Sequence, residues 1–348
     1  MAKVLVVGSA EQSGGGVSSV IKLIKKMPVW NEYSCYWLGT QIQRNYAWKL
    51  WYAVKSWFVA LFIIWRYDIV HFHTVPDKIC LIIQLPIFLL ALIGRKKIIM
   101  HIHMGNQLNE HTKNGLFLWH LRRADRIVLL AKKWEQLFKE KYSIIKTPTT
   151  VLYNACEPVG FISYENKHKS IIFAGYMDDN KAPDILLEAW TKLKDKYPDW
   201  KVTLMGNGDV ARFKNMANEM GLQNNVEFTG YVRGQQKIDY FTKAAIFVLC
   251  SYNEGFPMVV LEAWSYGIPV ISTPVGGLPE VIVENKNCCT FDFGDSDGLV
   301  ERLELLINDE DLRKEMSIYE QDFVDCNFSM ESVNRNIYNL YSDLCHLY

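Results

Sequence analysis

Short apolar runs alternate with longer helical stretches along the first half of the chain. Strands are predicted at residues 4–7, 69–72, 98–102, 127–130 and 150–152. Strands that alternate with helices in this way are typical of a parallel sheet covered by helices on both faces. The first half therefore predicts one doubly wound α/β domain.

The same pattern restarts after a polar, turn-rich stretch at 156–160. Strands are predicted at residues 171–174, 202–205, 226–229, 246–249 and 270–272. A chain of 348 residues also exceeds the usual size of a single core. We predict two such domains, 1–157 and 158–329, with a ligand cleft between their carboxyl strand ends. A helix at about 330–348 is expected to pack back onto the first domain.

The zero net charge of the chain hides a strong asymmetry. Residues 1–157 hold 21 basic and 9 acidic side chains, a net of +12, and residues 158–348 hold 17 and 29, a net of −12. Eight of the 11 tryptophans also lie in the first half. A basic, tryptophan-rich half indicates an interface, and an anionic membrane surface fits it better than nucleic acid.

Two apolar segments bear on membrane contact. The run 79–93 is shorter than the roughly 20 residues of a membrane span and contains Gln84 and Pro86, which favours a buried or membrane-dipping helix. The segment 48–66 mixes large aromatics with lysine and arginine, as helices in the headgroup region do. The sequence leaves two interpretations of 48–66 open, membrane contact and packing on a sheet.

The cysteines and the start of the chain bear on compartment. The eight cysteines show neither a disulfide framework nor zinc-site spacing, which predicts reduced, metal-free thiols. The first strand begins at once, without a signal-type segment. We expect a cytoplasmic protein, peripheral at the inner face of the cell membrane.

The strongest chemical signal lies at 251–270, directly after the predicted strand 246–249. Pro257 suits the first turn of a helix, and Gly255 lets the backbone approach a ligand closely. A helix that starts there can hold a diphosphate at its N-terminus. Glu254 and Glu262 could then accept hydrogen bonds from sugar hydroxyls, although carboxylates also occur near helix N-termini for structural reasons alone.

This segment resembles the E-x7-E donor signature of retaining glycosyltransferases of family 4, in particular the bacterial surface-polysaccharide type. Residues 273–280 resemble the stretch that follows the signature. Weaker agreement occurs in the family's order at 14–17, 68–73, 124–128, Asn154, 173–175, Lys181, 206–208 and 228–230. The resemblance implies the GT-B fold, an α/β architecture of two facing Rossmann-like, doubly wound domains with an interdomain cleft.

The resemblance also implies roles for individual residues. Glu254 would contact the transferred sugar, Glu262 the nucleotide ribose, and Lys181 the donor phosphates. The remaining donor-binding candidates are Gly15, Gly16, Asn207, Gly255, Phe256, Pro257 and Met258. The glycines of the first loop would let the backbone approach the diphosphate, unless they form only a flexible turn.

Histidines near the carboxyl ends of two strands complete the candidate site. His101 and His103 share one face of their predicted strand, and His103 lies nearer its carboxyl end. His103 corresponds better to the family's active-site histidine, and His73 is the acceptor-side candidate. The alternative for each is a core histidine with its hydrogen bonds satisfied.

Two positions depart from the family pattern. Tyr176 stands where an arginine is usual, and Ala182 stands where a glycine follows the lysine. One cation is therefore missing from the expected diphosphate site, and Arg233 could replace it from a neighbouring loop.

The resemblance implies a retaining, front-face transfer in which the leaving phosphate helps to deprotonate the acceptor. No protein nucleophile, metal or cofactor is expected, and the donor would be a UDP- or GDP-linked sugar. The expected acceptor is a lipid-linked or membrane-proximal glycan in polysaccharide biosynthesis. The alternatives are a weakened or non-catalytic nucleotide-sugar-binding subunit and a nucleotide-sugar epimerase or hydrolase of the same fold. A dinucleotide oxidoreductase is disfavoured, since no G-x-G-x-x-G is present.

Overall fold

The computed structural model describes residues 2–13, 15–42, 46–103 and 107–345. The chain divides into two compact units, one of Met1–Ala155 with Met330–Tyr348 and one of Cys156–Ser329. The boundary lies two residues before the expected one at 157/158.

The first unit is built on a parallel sheet of six strands. The strands are β1 Val4–Ser9, β2 Tyr36–Gln41, β3 Ile69–Thr74, β4 Lys97–Ile102, β5 Arg126–Leu129 and β6 Thr149–Val151, in the spatial order β2-β1-β3-β4-β5-β6. The connecting helices are α1 Gly16–Lys26, α2 Pro28–Glu32, α3 Tyr46–Ile63, α4 Lys78–Ile93, α5 Gln107–Glu110, α6 Gly115–Arg123 and α7 Lys132–Lys141. All six residues of β3 are buried, as expected for a central strand covered on both faces.

The second unit repeats this plan. Its strands are β7 Ser170–Ala174, β8 Lys201–Met205, β9 Val226–Gly230, β10 Ile246–Leu249, β11 Val270–Ser272 and β12 Cys289–Thr290, in the order β12-β11-β10-β7-β8-β9. Its helices are α8 Pro183–Leu193, α9 Val210–Glu219, α10 Gln235–Lys243, α11 Met258–Ser265, α12 Ser296–Asn308 and α13 Glu310–Phe328. The two-residue β12 is too short to leave a hydrophobic pattern in the sequence, so it is absent from the predicted strands.

Each sheet contains one point where the direction of winding reverses. From β1 the chain moves to β2 on one side, whereas from β3 it moves to β4 on the other. In the second unit the same reversal occurs between β7 and β10. Ligands of open α/β sheets bind in the crevice outside the carboxyl ends of the strands at such a switch point. The two switch points are therefore where functional side chains are expected.

The last helix, α14 Met330–Cys345, belongs to the first unit. Its buried stripe includes Val333, Ile337 and Tyr341, and the Tyr341 ring meets the Tyr33 ring edge-on at 5.1 Å. The Asn334 side-chain oxygen accepts a hydrogen bond of 2.9 Å from the Val29 backbone N–H. The chain thus returns from the second unit to complete the core of the first.

Helix α3 is unusual because it is apolar on more than one face. Ala53, Ser56 and Ala60 are buried, yet several large apolar side chains of the same helix are exposed. By length and composition alone, the described helix Ala47–Arg66 could cross a membrane, and 22% of this window is buried. The segment 48–66 thus has features of both interpretations, since one stripe packs on the sheet and another is exposed and could contact a membrane.

Candidate functional site

The loops after β7 and β10 bring two predicted donor residues into contact. Lys181 lies in the loop before α8, and Glu254 lies in the loop before α11. The Lys181 ammonium forms an ion pair with the Glu254 carboxylate, and the two side chains are only 19% and 15% exposed. Residues 73 positions apart in sequence thus meet at the switch point of the second unit.

Hydrogen bonds fix the two loops to each other. The Tyr252 backbone N–H donates to the Asn180 carbonyl at 2.7 Å, and the Asn180 side-chain amide donates to the Asn253 carbonyl at 3.1 Å. The Asp178 carboxylate accepts the Lys181 backbone N–H at 2.9 Å. These bonds tie the positions of the Lys181 and Glu254 backbones together without using their functional atoms.

A pair of glycines after β11 packs directly beneath the Glu254 loop. Gly277 donates its N–H to the Gly255 carbonyl at 2.9 Å. A side chain on Gly276, whose φ is +65°, would place its Cβ 2.8 Å from that carbonyl oxygen and 2.9 Å from the Glu254 carbonyl oxygen. Only glycine fits this approach without moving the backbone, so Gly276 helps to position Glu254.

The loop after β8 is held as tightly. The Asn207 carbonyl accepts the Met177 N–H at 2.7 Å, and a Cβ on Gly206 would lie 1.7 Å from the Gly175 carbonyl oxygen. The Asn207 residue itself is exposed. Asn207 is therefore held near the β7 loop by its backbone, which leaves its side chain available to a ligand.

Helix α11 begins at Met258, with Pro257 as the residue that precedes it and no side-chain cap. The expectation that Pro257 lies in the first turn is thus wrong by one position, because its ψ of 110° is extended. The Phe256 ring packs 5.5 Å from the Phe328 ring, so only the Phe256 backbone can face a ligand. The positive end of the α11 dipole lies beside Glu254 and can attract phosphate.

Glu262 lies one turn inside α11. Its carboxylate accepts a hydrogen bond of 2.8 Å from the Lys237 ammonium on α10, and both side chains are about one-third exposed. The sequence does not predict the ion pair of Lys237 and Glu262, because nothing in the local sequence of α10 indicates which carboxylate Lys237 contacts.

The two departures from the family pattern have different structural consequences. Tyr176 has no positive charge to replace the usual arginine. Its side chain is 60% exposed, so it contributes little to core packing either. Ala182 is buried and adopts the left-handed conformation, with φ 45° and ψ 54°. The turn before α8 thus keeps a glycine-type backbone although its residue carries a Cβ, which costs about 1–2 kcal/mol.

Four histidines of the first unit form one buried cluster near the β1/β3 switch point. His71 and His73 lie on β3, His101 lies on β4, and His103 follows β4. The His73 Nδ1 lies 2.9 Å from the His103 Nε2, and the His71 Nε2 lies 3.3 Å from the His101 Nδ1. The His101 and His103 rings stack at 4.3 Å. The two candidate residues are therefore parts of one network.

Burial keeps these four imidazoles neutral. It lowers the pKa of His71 and of His103 to about 3, and it lowers the pKa of His73 and His101 well below the ordinary value. A neutral imidazole has one N–H and one acceptor nitrogen. Each hydrogen-bonded pair must therefore contain one donor and one acceptor.

The arrangement of protons follows from the cost of a buried N–H without a partner. The Nε2 atoms of His73 and His101 are buried and find no hydrogen-bond partner among the residues that the structure describes. A bare nitrogen is less costly there than an N–H, so His73 donates from Nδ1 to the Nε2 of His103. The proton of His103 then lies on Nδ1, which makes this atom a hydrogen-bond donor.

The glycine loop of the first unit lies at the same switch point. Gly15, with φ 105°, immediately precedes α1, and a Cβ on Gly16 would meet open space. The Ser18 hydroxyl donates to the Ser13 carbonyl at 2.8 Å. Gly14, also part of the predicted loop, lies outside the described residues. At the described residues Gly15 and Gly16, the N-terminus of α1 is accessible to an anion.

The histidine cluster also contains nitrogen atoms at metal-ligand spacing. Ligand atoms of His71, His73 and His101 lie within 4.8 Å of one another, and imidazole nitrogens suit zinc, copper or nickel. Four of the six ring nitrogens of these three histidines are already engaged in imidazole–imidazole or tyrosine hydrogen bonds, including that between His71 and Tyr341 at 2.9 Å. The expectation of a metal-independent protein stays a prediction.

Comparison with known proteins agrees with this description. Residues 162–323 match the family model of glycosyl transferases group 1. The matched residues are a little under half of the chain and lie within the second unit. An uncharacterized glycosyltransferase of Haemophilus influenzae is 28% identical over 196 residues, 56% of this chain and 55% of that protein. The D-inositol 3-phosphate glycosyltransferase of Corynebacterium jeikeium is 29% identical over 184 residues, 51% of this chain and 44% of that protein. The matched region thus spans about half the length of these relatives.

Among solved structures, Anabaena HepE in complex with UDP and glucose is similar over the whole chain. The TM-score is 0.78 at 17% identity, and the match covers 98% of this chain and 100% of that one. At this identity the likeness concerns the fold. The predicted α/β GT-B fold with two Rossmann-like, doubly wound domains is confirmed.

Proposed function

We propose that this protein is a retaining glycosyltransferase that moves a sugar from a nucleotide-sugar donor to a lipid-linked or membrane-proximal glycan. The observation that carries the proposal is the Lys181–Glu254 ion pair at the β7/β10 switch point, beside the N-terminus of α11. A cation, a carboxylate and a helix N-terminus are what a sugar diphosphate requires. The match of residues 162–323 to group 1 glycosyl transferases supports this assignment.

In this proposal, Lys181 and the α11 N-terminus bind the donor diphosphate, and Glu254 accepts hydrogen bonds from the sugar hydroxyls. Glu262, one turn further along the helix, accepts hydrogen bonds from the ribose. On donor binding, phosphate replaces Glu254 as the partner of Lys181. Glu254 is then released toward the sugar, so one event prepares both residues.

The proposed reaction takes place on one face of the sugar. The bond from the anomeric carbon to the leaving phosphate oxygen breaks while the bond to the acceptor oxygen forms. The acceptor proton passes to the departing phosphate, and the products are a glycoside of unchanged configuration and a nucleoside diphosphate. Lys181 stabilises the charge on the leaving group, and the Nδ1–H of His103 orients the sugar. We propose that neither a metal nor a cofactor takes part.

A small cavity supports an acceptor role for the first unit. It has a volume of about 180 Å³ and is lined by Trp37, Tyr52, Lys55 and Ser56, among others. Aromatic faces with neighbouring polar groups suit a sugar, and Lys55 suits an anionic group attached to it. The positive charge of this part of the chain favours an anionic, lipid-linked acceptor in polysaccharide biosynthesis at the cytoplasmic face of the membrane.

A thermal-shift screen against UDP-, GDP- and ADP-sugars identifies the donor, because a ligand of the folded state raises the unfolding temperature. We expect a UDP-sugar or a GDP-sugar to give the largest shift, and the UDP complex of HepE favours the former. Transfer is then measured with that donor and a lipid-linked glycan, and the configuration of the product is read by NMR. Inversion of configuration would contradict the retaining mechanism.

Two variants test the assigned roles. Lys181→Met should weaken donor binding by roughly tenfold or more through loss of a charge-assisted contact, and Glu254→Gln should lower the transfer rate by a similar factor. Lys192→Met is the matched control, since Lys192 is an exposed lysine in an ion pair with Asp297 on the same unit. Wild-type transfer by both test variants would reject the site.

The second candidate is a nucleotide-sugar-binding subunit with little or no activity. It is favoured by the exposed Tyr176 in place of a cation and by the strained Ala182. Tight nucleotide binding without turnover, across donors and lipid acceptors, would support it. Turnover of the donor without any acceptor would instead indicate an epimerase or a hydrolase.

A further inference from the structure

Helix α3 exposes a row of large apolar side chains on the side opposite its buried stripe. Trp51, Phe58, Phe62 and Trp65, the last just after the helix, are 58%, 63%, 63% and 50% exposed. Ala53, Ser56 and Ala60 form the buried stripe. A helix that is apolar all round is normally covered on every side by protein or lipid. The outer side of α3 therefore needs a partner that the described part of the chain does not supply.

Helix α4 extends this surface. Its exposed side chains Ile79, Ile82, Leu89 and Ile93 are also apolar. The Trp57 indole N–H donates to the Ile83 carbonyl at 2.7 Å, which holds α3 and α4 side by side. Because the β2-to-β3 and β3-to-β4 crossovers run in the same direction, both helices cover the same face of the sheet. We call the eight residues named so far the α3–α4 face, namely Trp51, Phe58, Phe62, Trp65, Ile79, Ile82, Leu89 and Ile93.

Charge tells which kind of partner fits the α3–α4 face. No acidic residue occurs at 33–67 or at 78–109. Basic side chains accompany the apolar ones, and those exposed are Lys49, Lys55, Arg66, Lys78 and Arg95. A second copy of the chain would bring like charges together, whereas an anionic surface would be attracted. Tryptophan beside lysine and arginine is also the composition of helices at the headgroup level of a bilayer.

We propose that the α3–α4 face inserts into one leaflet of an anionic membrane, with both helices lying in the plane of the leaflet. The in-plane orientation follows from the buried stripe of α3, because a membrane span would have to leave the sheet and expose Ala53, Ser56 and Ala60. The inner rows stay on the sheet, the apolar rows enter the acyl boundary, and the basic residues bind the headgroups. This inference deepens the acceptor half of the proposed function and rests on it only for the identity of the acceptor.

The test is sedimentation of the full chain with vesicles of phosphatidylcholine and phosphatidylglycerol, without nucleotide. The variant Trp51→Ser/Phe58→Ser/Phe62→Ser removes three apolar side chains from the face. Ile144→Ser/Phe161→Ser/Ile318→Ser is the matched control, since these three are equally exposed and lie outside the face. The first variant should lower the partition coefficient by at least roughly tenfold, and the control by less than about twofold.

Quenching by lipids with brominated chains gives a second readout, which a purely electrostatic contact would not produce. Tryptophan fluorescence of the wild-type chain should be quenched on binding, and Trp51→Phe/Trp65→Phe should remove most of that quenching. Binding without quenching would overturn insertion. So would an unchanged partition coefficient in the triple variant.

Oligomeric state and donor binding complete the experiment. If light scattering shows a dimer that the triple variant dissociates, with no effect on vesicles, the face binds a second copy and the proposal is wrong. The triple variant should keep the wild-type unfolding temperature and the wild-type thermal shift with the nucleotide sugar. Loss of vesicle binding with an intact donor shift supports the inference, and a wild-type chain that binds vesicles without any donor shift rejects the proposed function alone.

Discussion

Ala182 shows how a single residue can carry strain inside an otherwise ordinary turn. The position has a left-handed backbone and is buried, and it directly precedes Pro183 at the start of α8. The left-handed conformation places the Cβ of an L-residue too close to the following carbonyl oxygen. The turn nevertheless keeps its shape, because hydrogen bonds within its own loop and from the loop after β10 determine the position of Lys181.

Replacement of Ala182 by glycine should therefore stabilise the protein. The gain should be roughly 0.5–1 kcal/mol, since relief of the left-handed strain is partly offset by the greater freedom of glycine in the unfolded chain. The measurement is the free energy of unfolding in urea. Ala189→Gly, in the middle of α8, is the control and should destabilise by about 1 kcal/mol. A loss of stability in Ala182→Gly would contradict this, because it would show that packing of the Ala182 Cβ stabilises the protein by more than the left-handed strain destabilises it.

The histidine cluster predicts acid sensitivity. His71 and His103 have a pKa of about 3 in the folded protein and near 6.5 when exposed, so the unfolded chain binds more protons below pH 6.5. Stability is therefore fully present above pH 6.5 and falls as the pH is lowered toward 3. His71 and His103 should each lower the free energy of unfolding by about 2 kcal/mol between pH 7 and pH 5.

Urea unfolding at pH 7, 6 and 5 measures this slope. His73→Asn should give a shallower slope than wild type, because it removes one of the buried imidazoles that the unfolded chain protonates. Equal stability of the wild-type protein at pH 7 and pH 5 would contradict the neutral, buried cluster.

Among the elements, α14 links distant parts of the first unit. Its buried side chains pack with α2, and the Tyr341 hydroxyl lies 2.9 Å from the His71 Nδ1. The helix therefore closes the core and reaches the histidine cluster from the far end of the chain. Loss of its packing should lower the stability of the first unit rather than that of the second.

Ile337→Ala tests this dependence. Removal of a fully buried isoleucine should cost about 2–5 kcal/mol. Intrinsic fluorescence follows the effect, because eight of the 11 tryptophans lie in the first half. Ile318→Ala, at an exposed position on α13, is the control and should change stability by less than about 0.5 kcal/mol. A fluorescence transition unmoved in Ile337→Ala would show that α14 contributes little to this unit.

For the whole molecule, the charge asymmetry follows the boundary between the units. Met1–Ala155 with Met330–Tyr348 holds 22 basic and 10 acidic side chains, and Cys156–Ser329 holds 16 and 28, so the net charges are +12 and −12. The predicted donor residues of the loops after β7, β8 and β10 lie in the acidic unit. The positive unit contains the α3–α4 face, so its charge would attract this face to an anionic surface.

Flotation with phosphatidylglycerol vesicles should accordingly depend on salt and on the charge of the first unit. Lys49→Gln/Lys55→Gln/Arg66→Gln should weaken binding by roughly two orders of magnitude at low salt, at about 1 kcal/mol per charge. Lys194→Gln/Lys201→Gln/Lys214→Gln, in the acidic unit, should have little effect. Equal losses for both sets would mean that total charge, and not its location, controls binding.

The sequence by itself determined the architecture and indicated a candidate donor loop. Alternating apolar runs located ten of the strands, because a strand buried on both faces must be apolar wherever it lies in the sheet. The motif around Glu254 identified the loop before α11, because its glycine, proline and carboxylates have local conformational and chemical roles. The departure at Ala182 was also visible in the sequence, although its left-handed backbone was not.

Only the tertiary structure decided which residues meet. The pairs Lys181–Glu254 and Lys237–Glu262, the contact of Gly276 with the Glu254 loop, and the link from His71 to Tyr341 all join distant segments. Such contacts depend on the order of strands in a sheet and on which loops meet at its edge, and a pattern along the chain does not contain that order. The same reason explains why the sequence left the role of α3 open, since exposure is a property of the packed unit.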